Sequence, residues 1–133
     1  MPRHPPHPDL ADRSTVLVVE DDPVLSPLTQ AQLADRGYAT RVARTAEEAL
    51  GILRSGERVD AVFSDIVLPG DASGLQLART IREEFPAVPI LLTTGFEAAF
   101  EVARIRGVET IAKPYDVEKI ADRLEELIKG EAG

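Results

Sequence analysis

Cysteine is absent from the 133-residue chain. That excludes disulfides, thiolate metal centres and thiol nucleophiles, and it suits an intracellular setting. Positive charge is the minority: 15 lysines and arginines stand against 23 aspartates and glutamates, for a net charge of −8. Such a surface repels nucleic acid and anionic lipid unless a basic face is segregated on it, and no basic cluster is readable, so neither is an expected partner. Long apolar runs are missing as well. The longest fall far short of the roughly 20 residues that span a bilayer, and the charged N-terminus lacks the apolar segment of a secretory leader. A cytoplasmic protein is expected.

What is present is enough for one domain, given roughly 150 residues per domain. A chain of this size buries about two thirds of its unfolded surface, so it needs no covalent staples. Residues 1–13 stand apart, with four prolines and both histidines of the chain. Proline removes donors and favours extended backbone, so this stretch reads as a disordered tail. His4 and His7 have no neighbours to complete a metal site. The folded part is expected over 14–130.

From Ser14 onward short apolar runs alternate with amphipathic ones. Strands are expected over Thr15–Val19, Tyr38–Ala43, Val59–Ser64, Val88–Thr93 and Val108–Ala112. The first helix has two candidate starts, Asp22-Pro23 and Ser26-Pro27, each pairing a capping side chain with a proline. Gly37 is its expected stop. Thr45-Ala46-Glu47-Glu48 reads as a capping box. A Pro/Gly-rich loop, LPGDASG, precedes a helix carrying Leu75, Leu77, Ala78 and Ile81. Phe96–Arg106 is a weaker helical segment, and Val117–Lys129 a helix with apolar residues at 117, 120, 121, 124, 127 and 128. Five strands alternating with five helices imply an α/β fold, a parallel sheet covered on both faces.

In such sheets ligands bind at the carboxyl ends of the strands. Past the first strand lie Glu20, Asp21 and Asp22. Asp65 follows the third, Thr94 the fourth and Lys113 the fifth. Past the second come only Arg44 and Thr45, which read as turn and cap chemistry. Each residue has a plain structural use: Asp22 as an N-cap, Asp65 as a turn former, Thr94 in a turn, Lys113 as a solvated lysine. Together they place acids, a hydroxyl and a cation on one edge. Two unit charges 4 Å apart repel by about 4 kcal/mol at an effective dielectric of 20, so gathered carboxylates call for a cation. Oxygen donors suit Mg²⁺ where phosphate is handled. A lysine, a hydroxyl and Mg²⁺ around one carboxylate make a clamp for phosphoryl transfer, with that carboxylate as nucleophile.

The segments VLVVEDDP, DAVFSDIVLPG with SGLQLARTIR, PILLTTGF and IAKPYD, in that order, resemble the response-regulator receiver domains of two-component signalling. The resemblance runs from about Ser14 to Lys129. It implies a flavodoxin-like, doubly wound five-stranded sheet of order 2-1-3-4-5. It also implies that Asp65 is the phosphoacceptor, served by a sensor histidine kinase or a histidine phosphotransfer protein. Asp21 would be the direct Mg²⁺ ligand, Glu20 its partner through water, and the backbone carbonyl of Val67 a further ligand. Thr94 would be the switch hydroxyl and Lys113 the lysine that pairs with the phosphate, its bond to Pro114 cis. A downstream protein target is implied. So is a contact face, open to homodimerisation, made of the segment 96–106, the strand 108–112 and the last helix.

Four positions depart from the family pattern. Glu20 replaces the commoner Asp, the loop after Asp65 is one residue longer than in the simplest receivers, and Thr110 stands where a Tyr or Phe usually flips. Gly95-Phe96 follows Thr94 where Ala is commoner, which points to Phe96 or a mobile helix after it as part of the switch. Two other readings compete: a non-phosphorylated pseudo-receiver that only binds protein, and a Mg²⁺-dependent phosphohydrolase. The latter would want a second acid two residues after the nucleophile, where this chain has Val67. A flavin or nucleotide carrier on the same fold is disfavoured, because the loop after the first strand is acidic rather than glycine-rich. A self-standing regulator is expected rather than a receiver cut from a hybrid kinase. Either way the expectation is a switch with at most slow autodephosphorylation, not a turnover enzyme.

Overall fold

A computed structural model describes residues 14–94, 105, 107–112 and 116–130, apart from the side chain of Thr94. The elements run β1 (Thr15–Val19), α1 (Leu25–Asp35), β2 (Ala39–Ala43), α2 (Ala46–Arg54), β3 (Ala61–Asp65), α3 (Gly74–Glu84), β4 (Ile90–Thr94), β5 (Val108–Ala112) and α4 (Val117–Ile128). All strands pair in parallel, in the order β2-β1-β3-β4-β5.

The period of two along a strand divides the core into two layers. Leu17, Val19, Val62, Ile90 and Leu92 face α2 and α3, where Ala49, Leu53, Leu77 and Ile81 meet them. Val16, Val18, Phe63 and Leu91 face the other way, onto Leu33 of α1 and Ile120, Ala121 and Leu124 of α4. Each of the large side chains among these is worth about 1.5–3 kcal/mol of burial. The sheet is thus covered on both faces, which is why β1 reads as an unbroken apolar run from Val16 to Val19.

Sequence and structure part at several boundaries. β3 extends through Asp65 and β4 through Thr94, so both residues are the last of their strands rather than the first past them. The described residues hold four helices rather than five. The segment 96–106 lies outside them except for Ile105, which sits in a bend. The tail with His4 and His7 lies outside the described residues too.

The caps explain the helix limits. α1 starts at Leu25, between its two expected starts, with Pro27 in its first turn, where no amide donor is needed. Gly37 adopts φ +89° and donates to Ala34, while Tyr38 donates to Leu33, closing the C-terminus as expected. Half of the expected capping box on α2 forms. Thr45 Oγ1 accepts from the Glu48 amide at 3.0 Å, but the Glu48 carboxylate turns to the Arg44 amide instead. The full box is on α3, where Ser73 and Gln76 cap each other reciprocally. Ser73→Ala should cost about 1 kcal/mol, visible as a lower urea midpoint at unchanged slope.

Candidate functional site

Strand register assembles the site. Val19 of β1 lies beside Ser64 of β3, so Glu20 and Asp21 follow β1 at the level where Asp65 ends β3. Asp65 pairs with Thr93, and Thr94 with Ala112, the residue before Lys113. The carboxyl edge of the sheet therefore gathers the backbone of Glu20, Asp21, Asp65 and Thr94. Lys113, its bond to Pro114, Phe96 and the Thr94 side chain lie outside the described residues, and so do the roles expected of them. Thr110 is exposed on β5.

The backbone around Asp65 is pinned from three sides. Ser64 Oγ, fully buried, donates to the Asp65 carbonyl at 2.8 Å. The Ile66 amide donates to the Thr93 carbonyl at 3.1 Å, and the Gly74 amide to the Ile66 carbonyl at 2.8 Å. Gly74 comes so close that a Cβ there would overlap the Asp65 carbonyl oxygen and lie 2.7 Å from Ile66 Cα. Asp65 Oδ1 accepts the Val67 amide at 3.1 Å, orienting the half-buried carboxylate. Val67 itself is exposed at the mouth of the site.

The loop after β1 is held by its own acids. Glu20 is buried, and its Oε2 accepts the Asp22 amide at 3.1 Å. Asp22 accepts the amides of Val24 at 2.7 Å and Leu25 at 3.1 Å, so it caps the entry to α1 in its plain structural role. These bonds, Val24 first, hold the Asp22 carboxyl below its ordinary range. A lowered folded value stabilises the fold above the unfolded carboxylate range, and that contribution is lost as pH falls through the folded value.

Asp21 departs from the expected arrangement. Its Oδ1 accepts from Arg44 Nη2 at 3.0 Å and from Nε at 3.2 Å. Arg44 follows β2 and was expected to serve only the turn; parallel pairing of β1 with β2 sets Val19 opposite Ala43 and puts the arginine within reach of the acid. An open cleft of about 310 Å³ lies here, bounded by Glu20, Asp21, Ser26, Val42 and Arg44. Among the described residues no three His, Cys, Asp or Glu side chains gather closely enough to hold a metal ion. Asp21 is turned to Arg44, and Glu20 Oε2 to the Asp22 amide. The donors themselves are all hard oxygens, the kind that Mg²⁺ takes, and the Asp21 side chain is 46% exposed, so the residues fit the ion in kind.

The response regulator receiver domain family matches residues 16–125. The chain belongs to that family. This receiver is 34% identical over 120 residues to the probable transcriptional regulatory protein TcrX of Mycobacterium tuberculosis, covering 86% of this chain and 50% of that protein. It is 38% identical over 123 residues to the transcriptional regulatory protein AruR of Pseudomonas aeruginosa, covering 86% and 49%. It therefore spans about half the length of these curated relatives. A response regulator receiver protein of Sinorhizobium medicae superposes with a TM-score of 0.81 at 27% identity, over 89% of this chain and 96% of that one. The flavodoxin-like order expected of the sheet is the one observed. No helix among the described residues is long and apolar enough to cross a membrane.

Three contributors are not singled out by the sequence. Arg44 reads there as turn chemistry because its partner lies 23 residues earlier in the chain. Gly74 lay inside a loop where glycine is ordinary. The Ser73–Gln76 box was legible as S-x-x-Q directly before an apolar stripe.

Proposed function

We propose that this receiver accepts a phosphoryl group on Asp65 from a sensor histidine kinase or a histidine phosphotransfer protein and then changes conformation to signal to a downstream protein. The observation that carries the reading is the register. It sets a half-buried, backbone-oriented carboxylate at the end of β3, level with an acidic pair after β1.

Asp65 is the nucleophile: one carboxylate oxygen bonds to phosphorus as the donor's P–N bond breaks and the imidazole leaves. Asp21, Asp65 and the Val67 carbonyl, with Glu20 behind them, would hold Mg²⁺, which supplies compensation for the phosphoryl charge. The Val67 amide keeps Asp65 aimed, and Ser64 and Gly74 fix the backbone under it. Thr94 and Lys113 are assigned the switching and phosphate-pairing roles. Phosphate is lost slowly to water, so the protein is a switch and not a turnover enzyme. The unit spans 14–130 with 1–13 as a tail, works in the cytoplasm with its kinase, and uses β5, α4 and the segment 96–106 for its target or a second copy.

The test is incubation with acetyl phosphate, with and without Mg²⁺, followed by intact-mass analysis. The expected result is a single phosphate-sized gain that needs Mg²⁺ and maps to the peptide holding Asp65. No gain, with acetyl phosphate or with any cognate kinase, would favour the protein-binding pseudo-receiver.

A further inference from the structure

We propose that Arg44 is a built-in competitor of the divalent ion for Asp21, so that the arginine and the cation take turns at one carboxylate. The inference rests on the Mg²⁺ reading above and adds to it a residue outside the expected ligand set.

Asp21 Oδ1 is engaged by two nitrogens of the Arg44 guanidinium, at 3.0 and 3.2 Å. Two N–H groups take up the lone-pair directions of Oδ1, so that oxygen is closed to a cation while the fork is in place, and an ion approaching Oδ2 meets the arginine's positive charge at short range. Coordination of an ion through Oδ1 thus requires the guanidinium to swing away. Its freedom to do so is visible: the Arg44 side chain is 70% exposed and borders an open cleft of about 310 Å³. Its backbone stays fixed, since the Arg44 amide faces Glu48 and Thr45 caps α2 beside it. The hinge is the arginine side chain alone. Arg41, two strand positions away from Ala43 on the same strand, is a natural contrast. It is also exposed, but its fork is spent on Glu57, at 2.8 and 3.2 Å.

Exposed ion pairs are weak, so the competition sets an affinity rather than blocking the site. Converted to binding, such a pair corresponds to a change of about two- to five-fold. The arginine thereby raises the cation concentration at which the acidic end becomes competent.

The experiment titrates the full chain with Mn²⁺ alone at low ionic strength, following the free-ion signal by electron paramagnetic resonance. Wild type, Arg44→Gln, Arg41→Gln and Asp21→Asn are compared, and thermal melts check folding. Arg44→Gln is expected to bind about three-fold more tightly than wild type, with Arg41→Gln changed by clearly less and Asp21→Asn weakened. Equal affinities for Arg44→Gln and Arg41→Gln would overturn the competition, because a general charge effect would then suffice. Weaker binding by Arg44→Gln would also overturn it. Wild type with no saturable binding would overturn the divalent-ion reading itself, and this inference with it.

Discussion

Asparagine at position 65 is expected to abolish the Mg²⁺-dependent mass gain while leaving the fold intact. The two side chains are nearly isosteric, and the asparagine oxygen can still accept the Val67 amide that Asp65 accepts at 3.1 Å. The backbone is independent of the substitution, because Ser64 bonds the carbonyl of residue 65 and Ile66 bonds Thr93. What disappears is the anionic nucleophile, and an amide oxygen does not replace it. Incorporation should fall below detection, at least about a hundred-fold under wild type, on the scale of losing the attacking group. The melting temperature should hold or rise slightly, since one charge leaves an acidic edge. Intact mass and a thermal melt of the same sample check both halves. A phosphorylated Asp65→Asn protein would move the acceptor to another acid on the edge, Asp21 first among them.

The fold was legible because its signals are local and repeat. A β-branched run marks β1, and caps and glycines mark the helix limits. Parallel order follows from strands alternating with helices. The place of the candidate site was legible because register turns "the residue after each strand" into a spatial statement. Asp65 and Thr94 shift by one position into their strands, yet they stay at the same edge. What escaped depends on pairs far apart in the chain. Nothing in R-T-A-E-E says that Arg44 will face Asp21, 23 residues earlier, until β2 is docked on β1. The start of α1 was ambiguous for a related reason. Asp22 caps through an exposed turn ahead of Leu25, so the capping side chain and the first helical residue are not adjacent. The capping box on α2 was half right, because Glu48 had a second amide in reach, that of Arg44.

Gly74→Ala should be the most damaging methyl group that can be added near the site. The new Cβ would overlap the Asp65 carbonyl oxygen and stand 2.7 Å from Ile66 Cα. Both are backbone atoms, held by Ser64 and Thr93, so no side-chain end can swing aside. Either the start of α3 moves out, breaking the 2.8 Å bond from the Gly74 amide to Ile66, or Asp65 moves. Overpacking of this kind costs about 1–3 kcal/mol, and the lost bond adds about 1 kcal/mol. An ångström of displacement at a reacting group can cost about a hundred-fold in rate. The expected result is a destabilisation of roughly 2–4 kcal/mol in urea, together with a phosphorylation rate down at least ten-fold at temperatures where the variant is still folded. Gly51→Ala is the matched contrast. Gly51 lies within α2 with nothing within 4 Å of its would-be Cβ, so the same change should stabilise by about 0.5–1 kcal/mol through helix propensity and leave the rate alone. If the two variants behave alike, the close approach of α3 to the Asp65 backbone is not what holds the acceptor in place.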